Sequence, residues 1–181
     1  MNEIQILPLG SLPAGMLAEL RAGLENAFGA RTRILPAEPP PSRAFNVSRQ
    51  QYSSTEILAT LAGRALPETR LLAVTPSDLY VPVLTFVFGE AQLQGACAVV
   101  STCRLRQEFY GLPPDPRMLS ARLLKEVVHE LGHTFGLMHC EDYQCVMAAS
   151  HAVEWIDLKG PRFCQECRKR SQGKLTPAHA R

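Results

Sequence analysis

DPRMLSARLLKEVVHELGHTFGLMHC, residues 115–140, decides how the rest of this chain folds. Asp115 suits a helix N-cap and Pro116 the first helical position. Leu124, Val127, Val128, Leu131 and Phe135 then share one stripe at helical spacing, which should face a core. At about 100° per residue, His129 and His133 fall together on the opposite side, one turn apart. A histidine satisfied by a core hydrogen bond would normally lie on the apolar face. Two imidazoles at i and i+4 can instead reach a single metal ion. The spacing predicts a central helix over about 116–135.

Glu130 projects at a different angle from the histidines. It can act on a water at the metal without entering the coordination shell. The pattern continues as HExxHxxGxxH, and Gly136 is the link. A left-handed glycine commonly ends a helix, so His139 can swing back as a third ligand. Three nitrogens plus water make the open tetrahedral site of a catalytic zinc. Met147, in CVMAAS, is placed like the methionine of a tight turn beneath such a site. On its own it would read as core filler. No tyrosine follows Met147 closely, and His151, the nearest ionisable side chain, reads as a solvated loop residue.

Cys140 follows His139 directly. Cys140 and Cys145 form C-x4-C, Cys164 and Cys167 form C-x2-C, and 18 residues separate the pairs. Four thiolates at that spacing match a closed, structural zinc site. A redox pair at CQEC and two disulfides are the competing readings. Cys97 and Cys103 have no partner pattern and read as reduced structural thiols.

Upstream, EIQILPL at 3–9 reads as an opening strand and 13–28 as a helix carrying Met16, Leu20, Leu24 and Phe28 on one face. RTRILP at 31–36 suits a second strand, followed by a proline-rich loop at 37–43. SSTEILATLAGRAL at 53–66 suits a helix capped by Ser53 or Ser54. RLLAVT at 70–75, LTFVFG at 84–89 and GACAVVS at 95–101 read as three further strands. Alternating strands and helices, then closely spaced strands, predict a mixed α/β sheet.

A chain of 181 residues, 46% hydrophobic and 20% charged, suffices for one globular domain with a sizeable core. MNEIQILPLGSL lacks a basic n-region and a sustained apolar h-region, so no signal peptide is expected. LYVPVLTFVF at 79–88 is interrupted by Pro82 and falls well short of the roughly 18–20 residues of a bilayer span. The expected setting is a reducing cytoplasm, which disfavours disulfides. The net charge of +2 hides an asymmetry, because 159–181 holds seven Lys/Arg and one acid. That run reads as a solvated C-terminus, with an acidic partner or nucleic acid as the alternative.

HELGHTFGLMHC, CVM and CQEC in this order resemble the archaemetzincin family of metallopeptidases, whose pattern joins the long histidine motif to a four-cysteine zinc site. DLYVPVLTFVFG, GACAVVS and RQEFYG extend the similarity over roughly residues 70–170, and NVSRQQY at 46–52 is also similar to the family. The resemblance implies an α/β (α+β) fold. It would be a compact metzincin-like domain with a twisted mixed sheet, a backing helix, a central active-site helix and a small zinc-bound C-terminal subdomain. Residues 1–181 would then be one catalytic domain, upper at 1–139, lower at 140–170, with a flexible tail at 171–181. Two zinc ions are implied. One is catalytic, on His129, His133 and His139 with Glu130 as general base; the other is structural, on Cys140, Cys145, Cys164 and Cys167.

The resemblance also implies an extended peptide or protein substrate laid along the sheet's edge strand, for which 95–101 is the candidate by position. A monomer without membrane or nucleic-acid partners is expected. The rival class is a zinc-stabilised nucleic-acid or partner-binding module using the basic tail, or a pseudoenzyme that keeps zinc without turnover. Against the first, Phe163 is the only aromatic residue within 159–181. Against the second, Glu130 is intact.

Overall fold

The computed structural model describes residues 3–171. Its first half runs β1 (Glu3–Pro8), α1 (Ala14–Phe28), β2 (Arg31–Ile34), β3 (Phe45–Asn46), β4 (Gln51–Ser53) and α2 (Ser54–Leu61). Then follow β5 (Thr69–Thr75), β6 (Leu79–Tyr80), β7 (Gly89–Ala91), β8 (Cys97–Ser101), α3 (Pro116–Thr134), α4 (Val153–Leu158) and α5 (Gln165–Arg170). Five strands form one sheet in the order β2-β1-β5-β8-β7, and β3-β4-β6 form a second. In the larger sheet every pairing is parallel except β7 with β8.

Strand alternation divides the core into two layers, because successive side chains leave opposite faces. Ile4, Ile6, Leu72, Val74, Ala98 and Val100 pack with Leu20, Leu24, Val127 and Val128 of α1 and α3. Leu7, Leu71, Ala73, Cys97 and Val99 pack on the other face with Ile57, Leu58 and Leu61 of α2. Cover on both faces explains why β5 and β8 read as continuous apolar runs. The expected mixed α/β class holds. Among the described residues, no helix is long and apolar enough to cross a membrane.

Two expectations fail, LTFVFG as a strand and GACAVVS as the edge of the sheet. LTFVFG does not form a ladder. Arg49 donates to the carbonyls of Leu84 and Thr85 at 2.7 and 2.9 Å, and Gln51 donates to that of Thr85 at 3.1 Å. Side chains thus occupy the acceptors that a strand would offer a neighbour. Val87 makes one isolated antiparallel bridge to Leu79, the ladder starts only at Gly89, and β7 adds antiparallel to the outside of β8. GACAVVS is therefore an interior strand between β5 and β7, not the edge; the edge is β7. Smaller shifts accompany this. The helix expected over 53–66 ends at Leu61, with Ser53 accepting from the Glu56 amide as its cap. The stretch between Met147 and Cys164, which reads as loop, contains α4. The basic tail lies outside the described residues from 172 onward.

α3 forms as the sequence predicts. The Asp115 carboxylate accepts from the Met118 amide at 2.9 Å, and Pro116 opens the helix. Its histidine side, however, is covered as well. His129 is 4% and Glu130 6% exposed, because the segment after the helix folds back across them. Val146, Met147, Ile156 and Phe163 belong to the same apolar cluster as the sheet face. Phe28 joins the two regions, with ring centroids 5.9 Å from Phe135 and 6.0 Å from Phe163.

Gly132 makes this closeness possible. A Cβ there would stand 2.4 Å from Met147 Sδ and 3.1 Å from a Phe163 ring carbon. Alanine would gain about 1 kcal/mol of helix propensity, but overpacking a filled site costs about 1–3 kcal/mol. Overpacking should win. Gly132→Ala is expected to lower the thermal midpoint by roughly 2–6 °C, read by calorimetry on metal-loaded protein; an unchanged or raised midpoint contradicts the packing described.

Candidate metal centres and cleft

The end of α3 places three imidazoles around one point. The Leu137 amide donates to the Gly132 carbonyl at 3.2 Å and the Gly136 amide to that of His133 at 2.9 Å. This double closure is completed by Gly136 at φ +89°, a left-handed turn that favours glycine. The Gln94 amide also donates to the His133 carbonyl, at 3.0 Å, so the β7–β8 turn braces the same helix end. Three residues after Gly136 the chain returns with His139. The donor atoms of His129, His133 and His139 all lie within 4.8 Å of one another.

Hydrogen bonds fix which nitrogens face inward. Nδ1 of His129 lies 2.8 Å from the Val146 carbonyl, and Nδ1 of His133 lies 2.7 Å from that of Leu137. A carbonyl only accepts, so both δ nitrogens carry the proton and both ε nitrogens present lone pairs. Those lone pairs face each other across 3.2 Å. Two acceptors so placed call for a cation. A tetrahedron with metal–nitrogen bonds of about 2.0–2.1 Å has edges of roughly 3.3–3.4 Å, so the spacing fits zinc.

Glu130 lies beside this centre. Its carboxyl crosses Gly89 on the edge strand, where a Cβ would sit 2.7 Å from Glu130 Cγ and 2.8 Å from the Val99 carbonyl. Burial pushes the Glu130 carboxyl well above the usual carboxylate range; Glu126 adds to the shift and Lys159 opposes it. His129, Glu130 and His139 line a cleft of about 390 Å³. Leu84, Phe86 and Phe88 form one wall, and Ala149, Ser150 and His151 the other. Arg104 braces the first wall, paired with Asp78 at 2.7 Å and lying 4.1 Å over the Phe86 ring. His151 is exposed but not isolated: it lines the cleft and meets Trp155 edge-on at 5.7 Å.

The four cysteines also come together. Sγ of Cys140 lies 3.8 Å from Cys164, and Sγ of Cys145 lies 3.7 Å from Cys167. Metal–sulfur bonds of about 2.3 Å give tetrahedral edges of roughly 3.8 Å, so this set fits zinc too. Amides of Met147 and Cys164 point at Cys145 Sγ, and that of Cys167 points at Cys164 Sγ. Burial holds the Cys145 and Cys167 thiols up; against burial, donors from Cys167 bring Cys164 down. Cys97 and Cys103 stand apart from the group, free, with burial raising both thiols.

Sequence reasoning missed one pair. Lys159, counted there among solvated basic residues, is 2% exposed and lies 2.8 Å from Glu126 Oε1. Glu126 stands one turn before Glu130, a spacing that was available as a signal. Nothing in the local sequence marks Lys159 as buried.

The family model of peptidase family M54 matches residues 40–172. The archaemetzincin of Methanocaldococcus jannaschii is 44% identical over 169 residues, covering 93% of this chain and 92% of its own. That of Pyrococcus furiosus is 35% identical, covering 98% and 96%. The crystal structure of Archaeoglobus fulgidus archaemetzincin, complexed with malonate, matches with a TM-score of 0.80 at 40% identity, covering 93% of this chain and 99% of that one. A zinc-dependent peptidase from Methanocorpusculum labreanum matches with a TM-score of 0.85 at 29% identity, covering 93% and 99%. The similarity reaches beyond the span of roughly 70–170 marked by the motifs.

Burial, before any other cause, holds His129 well below the ordinary imidazole value of 6.5, with the Lys159 ammonium next. It lowers His133 and His139 in the same way. Unfolded, these rings take up protons first as pH falls. Each therefore contributes stability that is present above about pH 6.5 and lost as pH falls through its folded value. In metal-free protein the three rings are expected to titrate below pH 6.5, followed by histidine NMR; midpoints at or above that value contradict the burial.

Proposed function

The chain belongs to peptidase family M54, the archaemetzincins, and we propose that it hydrolyses peptide bonds with Glu130 as general base beside a zinc held by His129, His133 and His139. Two imidazole lone pairs facing each other at 3.2 Å, next to a buried carboxyl, carry this reading. A zinc bound there would polarise the scissile carbonyl and bring the pKa of water toward about 7. Glu130 accepts a proton from the attacking water and returns it to the leaving amine. A carboxyl raised by burial suits both halves of that task. The four cysteines would hold a second zinc, which would keep the return segment folded beneath the site, with Met147 against Gly132 in a metzincin-like arrangement.

The substrate is a peptide or protein in extended form, laid along β7 rather than along 95–101. Ser101 donates to the Phe88 carbonyl and Gln92 to that of Cys97. By antiparallel alternation, Gly89 and Ala91 then turn their own backbone groups outward. Those groups can pair with an added strand, leaving the apolar wall of Leu84, Phe86 and Phe88 to select side chains. Cysteines without disulfides suit a reducing cytoplasm, and a monomer is the form this reading adopts.

Glu130→Gln is expected to lower cleavage of a proteome-derived peptide library by roughly 10²–10⁴-fold with zinc content unchanged. Persistent cleavage overturns the role of Glu130. Metal analysis should find two zinc ions in the wild type and one in His139→Ala, the survivor resting on the cysteines. A single zinc in the wild type that persists in His139→Ala removes the catalytic centre from this account.

A further inference from the structure

Lys159 is the most deeply buried charged side chain among the described residues. Its ammonium touches two separately folded pieces of chain, α3 at two points and the turn beside Met147 at one. Glu126 Oε1 on α3 is 2.8 Å away, the Ala148 carbonyl beside Met147 is 3.2 Å away, and Nδ1 of His129 is 3.4 Å away. The lysine itself is held at the end of α4, where its amide donates to the Trp155 carbonyl at 3.3 Å.

The middle contact is the informative one. The turn 145–148 is closed by the Ala148 amide donating to the Cys145 carbonyl at 2.9 Å. Inside that turn is Val146, whose carbonyl accepts from His129 Nδ1. Whatever fixes this turn relative to α3 therefore fixes the His129 ring. Apolar packing sets the spacing only loosely, because dispersion is not directional. The Lys159 ammonium donates a hydrogen bond to the turn and forms an ion pair with Glu126, and so ties the turn to α3 at one point.

Stability is a poor reason for the pair. Replacing a buried ion pair by apolar groups of similar volume is often neutral or stabilising, whereas removing one partner strands a charge. We propose that Lys159 and Glu126 are positioning residues: they staple the 145–148 turn to α3, and so hold the Val146 carbonyl where it aims Nε2 of His129 toward His133. This rests on reading the three histidines as a zinc site. Neither residue is a ligand; Glu126 borders the cleft beside His129 and Glu130, whereas Lys159 does not line it. Partners of metal-binding histidines in other proteins tune affinity or activity by roughly 10–100-fold.

The test compares wild type with the double variant Glu126→Leu/Lys159→Met, which strands no charge. The primary readout is the zinc affinity of the histidine site by chelator competition, with the cysteine site loaded throughout. The double variant is expected to keep the wild-type fold by circular dichroism and to bind this zinc roughly 10–100-fold more weakly. Its kcat should fall at unchanged KM, and the His129 ring in metal-free protein should lose its fixed Nδ1–H tautomer by nitrogen-15 NMR. A folded double variant with wild-type zinc affinity and a fixed His129 tautomer overturns the proposal while leaving the peptidase reading intact. A wild type that takes no zinc at the histidines overturns both. Should the double variant fail to fold, Glu126→Gln/Lys159→Gln, which keeps polar groups at both ends, is read by the same two measurements.

Discussion

At the end of α3 the chain reverses through Gly136, and most of the site depends on that reversal. Seven residues after the first histidine the helix would otherwise carry the chain away from its own imidazoles. The left-handed glycine at φ +89° sends it back, so His139 approaches His129 and His133 from the far side. Cys140 is joined to His139 by a peptide bond, and its amide donates to the Met147 carbonyl at 2.9 Å. One histidine donor and one thiol donor of the two centres thus sit on adjacent residues. A single segment, 139–148, therefore supplies the third imidazole, two of four thiols, the carbonyl that orients His129, and the methionine beneath the helix.

Burial on the polar side of α3 shapes the chemistry. Glu126, His129 and Glu130 are all nearly inaccessible, an arrangement that a helix tolerates only if each group has a stated partner. His129 spends one nitrogen on Val146 and leaves the other free. Glu126 faces Lys159. Glu130 lies across a glycine at the open edge of the sheet, its carboxyl raised by the same burial. The outcome is a line of polar groups between apolar sheet and apolar turn, opening to solvent only through the cleft.

Legibility in the sequence follows the range of the interactions. The α3 boundaries depend on Asp115, Pro116 and Gly136 themselves, and the grouping of three histidines and of four cysteines depends on short spacings; both could be read directly. Strand order could not. LTFVFG has the composition of a strand, yet Arg49 and Gln51, some 35 residues earlier, take its carbonyls. The edge then passes to three residues that carry little β signal, Gly89, Glu90 and Ala91. NVSRQQY, noted only for its likeness to a family, thereby gains a physical task at the cleft wall. Lys159 shows the same limit for charge. Its burial depends on α3, α4 and the 145–148 turn meeting in space, and net charge along the chain does not record that.

Whether the chain carries two different metal environments, one of nitrogen and one of sulfur, joined at His139–Cys140, is the central claim. X-ray absorption at the zinc edge on the fully loaded protein addresses it most directly. Two shells are expected in comparable weight, nitrogen or oxygen at about 2.0 Å and sulfur at about 2.3 Å. A spectrum with a sulfur shell alone would contradict the account, because the histidines would then hold no zinc.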